Sequence, residues 1–274
     1  MHTHPTQNGL IVDTIDMRSD LYHLQLQGQW SRVDHADLTH FNGHFETKNV
    51  GQFLKDMDIT QDLRAKAGEG DFDLSWAGSP MNFQLEKIAG DATFQAKDGV
   101  IPVSGDAAKM GLGKILSLFS AQSIQRRLQL NFSDLSQNGY SFNTFLTQLH
   151  FEQGNAIVNK GVFDGPEAKI DFNGQVGLAL KNYHLNLVVT PYVTSTLPLI
   201  ATLAGGPIVG AATYAIDKLA ANSIAKLTSY HYELVGPWSQ PTLIDLDAQV
   251  KQKQQEKEAR LNAISAAPAE NIHD

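Results

Sequence analysis

The sequence predicts a mainly β protein: one long antiparallel meander curled into a groove or half-barrel, with a few helices set into it. Three observations carry that expectation. Runs of period-two alternation recur along the chain, each with one apolar and one polar face, as antiparallel strands with a single dry side require. Turn residues separate the runs. The hydrophobic fraction is 42% against 18% charged, a balance that folds and buries a core.

The first clear run places Leu24, Leu26, Gly28 and Trp30 on one side and His23, Gln25, Gln27 and Gln29 on the other. Phe72, Leu74 and Trp76 repeat the pattern, and so do Leu128, Leu130 and Phe132. The longest run is Ile170, Phe172, Gly174, Val176, Leu178 and Leu180. A turn at Lys181-Asn182 then leads into Tyr183, Leu185, Leu187 and Val189. Further turns are expected at Asp98-Gly99, Gln153-Gly154-Asn155 and Asp164-Gly165-Pro166. Trp76 to Pro80 and Trp238 to Pro241 each end an alternating run with Trp and then Pro, a faint internal echo. Proline cannot donate to a ladder, so it closes a strand or sits on an edge.

Helical periodicity interrupts the strands in three places. Near 106–127, Leu112, Ile115, Leu116 and Phe119 recur at i, i+3, i+4 and i+7, flanked by Lys109, Lys114, Arg126 and Arg127. That is an amphipathic helix, which either lies on one sheet face or touches membrane or lipid. From Asn186 to Ile216 no residue is charged. Its core carries Leu197, Leu199, Ile200, Leu203, Ile208, Val209 and Ile216, long enough to reach across a bilayer. Gly205, Gly206 and Pro207 break it in the middle. They favour an apolar helical hairpin or kinked helix near 195–228 over one continuous span. A buried plug, shallow membrane insertion and full spanning all stay open for this element. The third helix, Asp245–Ser265, is polar nearly all round and leads into an Ala/Pro tail expected to be disordered. The resulting division is a β-groove domain with inserted helices over 1–245 and a polar helical tail over 246–274.

The composition excludes several chemistries. Net charge is −8 without a long Lys/Arg block, which argues against nucleic acid as a partner. There is no cysteine, hence no disulfide, zinc-thiolate site, iron–sulfur cluster or Cys nucleophile. The ten histidines are scattered, with no His-Glu-x-x-His pair. Gly111 to Lys114 resembles a P-loop only superficially, because Ala108 stands where the first Gly belongs and Ile115 where Ser or Thr is needed. Asp56, Asp58, Thr60 and Asp62 begin like a calcium loop, but Gln61 replaces the turn glycine and Ala67 the bidentate Glu. No Gly-x-Ser-x-Gly elbow occurs. No cofactor, metal or catalytic residue is therefore assigned, and the chain reads as a binding or structural protein. Met1 to Thr6 lacks a basic then apolar leader, so the chain either stays in the cytoplasm or is the downstream piece of a longer exported chain.

Several stretches, in this order, resemble the C-terminal region of YhdP-type proteins in the AsmA-like superfamily. They are Gly70 to Pro80, Lys97 to Ile101, Gly113 to Phe119, Arg126 to Asp134, Gly205 to Ala212 with Asp217-Lys218, and Tyr232 to Pro241. The resemblance runs from about Gln25 to Leu246. It implies a β-groove protein of the Gram-negative envelope, anchored in the inner membrane, that passes phospholipid across the periplasm. This chain would correspond to the end nearest the outer membrane, with phospholipid, a membrane surface and the upstream part of the same protein as partners. The residues suit that role, since a half-apolar meander rolled into a trough gathers Leu, Val and Phe on its concave face. Each acyl CH₂ kept from water there is worth about 0.8 kcal/mol. The alternative is an envelope assembly module whose core is filled by its own side chains. A truncated chain would instead leave Leu24, Leu26 and Trp30 on an exposed edge strand.

Overall fold

The computed structural model describes residues 2–34, 36–56, 63–101, 139–166, 168–192 and 229–265. Its strands are β1 (His2–Thr6), β2 (Gly9–Arg18), β3 (Tyr22–Val33), β4 (Ala36–Thr47), β5 (Arg64–Ala77) and β6 (Ile88–Ile101). They continue as β7 (Tyr140–Glu152), β8 (Asn155–Asp164), β9 (Ala168–Gly177), β10 (Asn182–Pro191), β11 (Tyr230–Pro237) and β12 (Thr242–Asp245). The two helices are α1 (Val50–Asp56), between β4 and β5, and α2 (Leu246–Ser265), after β12.

All twelve strands form one antiparallel sheet in chain order, each paired with its sequence neighbours. Because β1 pairs with β2 and β12 with β11, the sheet stays open rather than closing into a barrel. The expected curled meander is the observed fold. Hairpin chemistry explains much of its order. In the β7–β8 turn, Glu152 faces Asn155, and Gln153 and Gly154 take φ of 47° and 76°. Two consecutive positive values are what a two-residue type I′ turn needs, and glycine supplies the second without strain.

Three local expectations are corrected. Asp98-Gly99 is not a turn but lies inside β6, where Lys97 and Gly99 pair with Ala67 and Ala65. A hairpin needs flanks that pair with each other. Here both flanks pair with β5 and β7 instead, and Asp98 absorbs the local distortion at φ 51°. The run ending at Leu180 stops at Gly177, which pairs with Asn182 and closes the hairpin. Leu180 is left at the tip, 77% exposed. Leu24, Leu26 and Trp30 belong to β3, an interior strand held by β2 and β4, and the edge strands among the described residues are β1 and β12.

The sequence reading missed α1. Asn49 caps it, its side-chain oxygen accepting from the Gln52 amide at 3.1 Å. Val50, Phe53 and Leu54 then point into a cluster with Ala65, Ala96, Tyr140 and Phe142. At the other end, Asp245 caps α2 by accepting from the Ala248 amide at 2.7 Å. The helix is polar as expected, and its Val250 and Leu261 stay exposed.

The helix expected near 106–127, the run Leu128–Phe132, the hairpin or kinked helix near 195–228 and the tail from 266 lie outside the described residues. Their attachment points are set by register. Ile101 faces Tyr140, and Val189 faces Tyr230. Ile101, Tyr140, Val189 and Tyr230 all lie on the rim that carries α1.

Candidate functional site

Directly paired residues of an antiparallel sheet share a face, so the register can be read as rows crossing the sheet. One row runs Ile15, Leu26, Gly43, Phe72, Ala92 and Leu149 from β2 to β7. It continues through Val158, Gly174, Leu185 and Leu234 to Leu243 on β12. No member is charged or polar. The row beside it runs Leu24, Phe45, Gly70, Phe94, Thr147, Gly161, Phe172, Leu187 and Tyr232, again without a charge. The meander thus lays an unbroken apolar strip along the whole direction in which its strands stack.

Cover over this strip is uneven. Leu26, Phe72, Ala92, Phe94 and Leu149 are only half-buried. At β10 and β11, by contrast, Leu185, Leu187, Val189, Tyr232 and Leu234 are 0–6% exposed. Several polar groups on the apolar side are satisfied internally where they sit at a rim. Thr39 donates to the Gly78 carbonyl at 2.8 Å, and Thr47 to that of Leu21 at 3.1 Å. Trp76 and Trp238, which the sequence singled out as an echo, repeat one device at the far rim. Each indole N–H donates at 3.1 Å to a backbone carbonyl, of Ser79 and Asn182 respectively. Burial pushes the Tyr183 hydroxyl pKa up, as befits a ring stacked on Trp238 within the shut end.

The opposite face is wet and charged. A paired row there reads Gln25, His44, Asp71 and Thr93. Its histidines couple across strands to carboxylates: His40 to Asp73 at 2.7 Å, His44 to Asp71 at 2.8 Å and His150 to Asp91 at 2.8 Å. The hydrogen bond to Asp71 raises the His44 pKa. Arg18 and Gln25, which both donate to Asp16, hold that carboxyl well below the usual range. An open depression of about 620 Å³ is lined by Gln25, Asn42, His44, Asp71 and Asp73 of this face together with Leu26, Phe72 and Ala92 of the strip row. The charged and amide groups suit water and not acyl chains. Among the described residues no three His, Asp or Glu side chains are grouped to hold a metal ion.

Every lipid- or membrane-contact residue named from sequence lies outside the described residues: Leu112, Ile115, Leu116, Phe119, Leu197, Leu199, Ile200, Leu203, Ile208, Val209 and Ile216, with the Gly205, Gly206, Pro207 break. The strip was missed as a site because its residues come from eleven strands whose register the sequence does not state. Only the alternation of each strand hinted at it. No helix among the described residues is long and apolar enough to cross a membrane.

An open antiparallel sheet with one uninterrupted apolar face and one charged face defines a class of groove-forming β proteins. The sequence pattern of the YhdP protein family matches residues 1–243, and the chain belongs to that family. It is 25% identical over 236 residues to the intermembrane phospholipid transporter YhdP of Escherichia coli K12, a match covering 85% of this chain and 18% of that protein. The chain therefore spans less than a fifth of that relative's length. No solved structure matches it.

Proposed function

We propose that this chain is a non-enzymatic lipid-handling module whose apolar sheet face carries phospholipid acyl chains along the stacking direction of the strands. The observation that supports it is the uncharged strip from β2 to β12, whose Leu26, Phe72, Ala92, Phe94 and Leu149 are only partly buried. Acyl chains laid there leave water, while headgroups stay at the rim near solvent. Each buried CH₂ gains about 0.8 kcal/mol, so a lipid slides along the strip more readily than it desorbs into water. The E. coli relative is an intermembrane phospholipid transporter, which fits a cargo of this kind. In this reading residues 1–245 form the groove unit at the outer-membrane end of a periplasmic conduit, joined to upstream strands at the β1 edge. Residues 246–274 form a polar tail.

Native mass spectrometry with lipid extraction tests the cargo on chain purified from a bacterial periplasm. Phospholipid at a defined stoichiometry is expected. A bare mass would favour the second reading, an assembly module with a filled core. The burial of Leu187, Val189, Tyr232 and Leu234 speaks for that reading at the β10–β11 end. The uncharged element 197–216 serves in our proposal to dock this end on a membrane. Vesicle flotation with and without residues 194–216 should show binding lost on deletion, and equal binding would sink the docking role.

A further inference from the structure

From β4 to β9 the strip has a recurring construction. Phenylalanine rings lie over glycines on the adjacent strand rather than standing up from the sheet. A methyl group added at Gly43 would come within 2.8 Å of Phe72 Cζ. One added at Gly70 would come within 2.6 and 2.9 Å of Phe45 Cε1 and Cζ. At Gly161 the Cε2, Cζ and Cδ2 atoms of Phe172 occupy the space a side chain would fill.

Ring-to-ring distances agree. The Phe45 and Phe94 centroids are 6.2 Å apart at 23°, across the β5 strand that carries Gly70. Phe145 and Phe172 are 6.3 Å apart at 25°, across the β8 strand that carries Gly161. Strands two apart are separated by roughly 9.5 Å. Rings that approach so closely must lean inward over the glycine strand between them. Side chains in strands otherwise stand roughly perpendicular to the sheet.

We propose that these ring-over-glycine pairs set the depth of the lipid track: glycine lets each ring lie low, so the floor is apolar yet shallow enough to admit acyl chains. The inference rests on the lipid-carrying reading above and adds the residues that gauge the channel. Gly161 and Phe172 form the cleanest gauge, because the nearest atoms to an added methyl there all belong to the ring. At Gly43 and Gly70 a backbone carbonyl also stands in the way, of Gln25 and Thr93 respectively.

The test compares phospholipid load, by native mass spectrometry, in the full chain and its variants. Gly161→Ala lifts the ring and should cut the load at least about fivefold, equivalent to about 1 kcal/mol. Adding Phe172→Ala to Gly161→Ala removes the raised ring and should restore the load to within about twofold, well under 1 kcal/mol. A merely structural pairing would lower thermal stability in both variants and leave the load unchanged. If Gly161→Ala does not fold, Phe172→Ile provides a second route, since a branched side chain stands up over an intact glycine; its load should also fall. A lipid-loaded wild type with unaffected single variants overturns this inference alone. A wild type without lipid overturns the reading it rests on.

Discussion

The apolar face is built in two ways within one sheet. Over β3 to β6 it is paved with phenylalanine lying beside glycine, and residues such as Leu26 and Phe72 stay half-exposed. Over β10 and β11 it is packed with Leu185, Leu187, Val189, Tyr232 and Leu234, almost wholly buried. The backbone topology is the same in both. What differs is side-chain volume within the same rows: over β4 and β5 they carry Gly43 and Gly70 and leave a surface, whereas over β10 and β11 leucine and tyrosine close on themselves. A single meander thus combines a surface suited to a guest with a core that stabilises the sheet.

The largest effect that could break this comparison is a charge on each part. Leu187→Asp buries a carboxylate in the shut cluster and should leave no folded protein by circular dichroism. Ala92→Asp, on the half-exposed strip, should keep the fold but abolish lipid load in native mass spectrometry. If both variants fold equally, the division is wrong.

Truncation sharpens the same contrast. Leu234, fully buried, should lose about 2–5 kcal/mol on Leu234→Ala, measured by denaturant unfolding. Phe72→Ala should cost clearly less despite deleting a larger side chain, because part of that ring already meets solvent. Equal losses would mean the strip is as closed as the core.

A smaller change acts on the helix that supports the β4–β5 end. Asn49→Ala removes the N-cap of α1 and should cost about 1 kcal/mol by thermal denaturation. Phe53 of α1 stacks on Phe45 of the strip with centroids 4.6 Å apart, so lipid load should fall modestly as well.

The smallest expected effect lies on the wet face. The Asp71 hydrogen bond raises the His44 pKa in the folded chain, so protonation favours the native state. That contribution is fully present below the unfolded value of about 6.5 and is lost as pH rises through the raised folded value. The melting temperature of the wild type should therefore drop relative to His44→Gln between pH 6 and pH 8. Both side chains are substantially exposed, so the difference should be slight.

Alternation alone was enough to predict strands at 23–30, 72–76 and 183–189, and the run 170–180 up to Gly177, because period two is a property of each strand by itself. The polar helix over 245–265 was equally legible, with Asp245 as its cap. Asp98-Gly99 misled because local turn chemistry does not say whether its flanks have better partners elsewhere. The short helix α1 was overlooked because Val50, Phe53 and Leu54 make one turn of periodicity, too little to stand out.

The sequence by itself thus determined the class of fold, the antiparallel order and the family likeness, since these depend on residue pattern along the chain. Only the tertiary structure decided which residues share a row. Register couples positions such as Gly161 and Phe172 across strands, and a shift of one residue would send every side chain to the other face. The continuity of the apolar strip, and the glycines beneath Phe45, Phe72 and Phe172, exist only once that register is set.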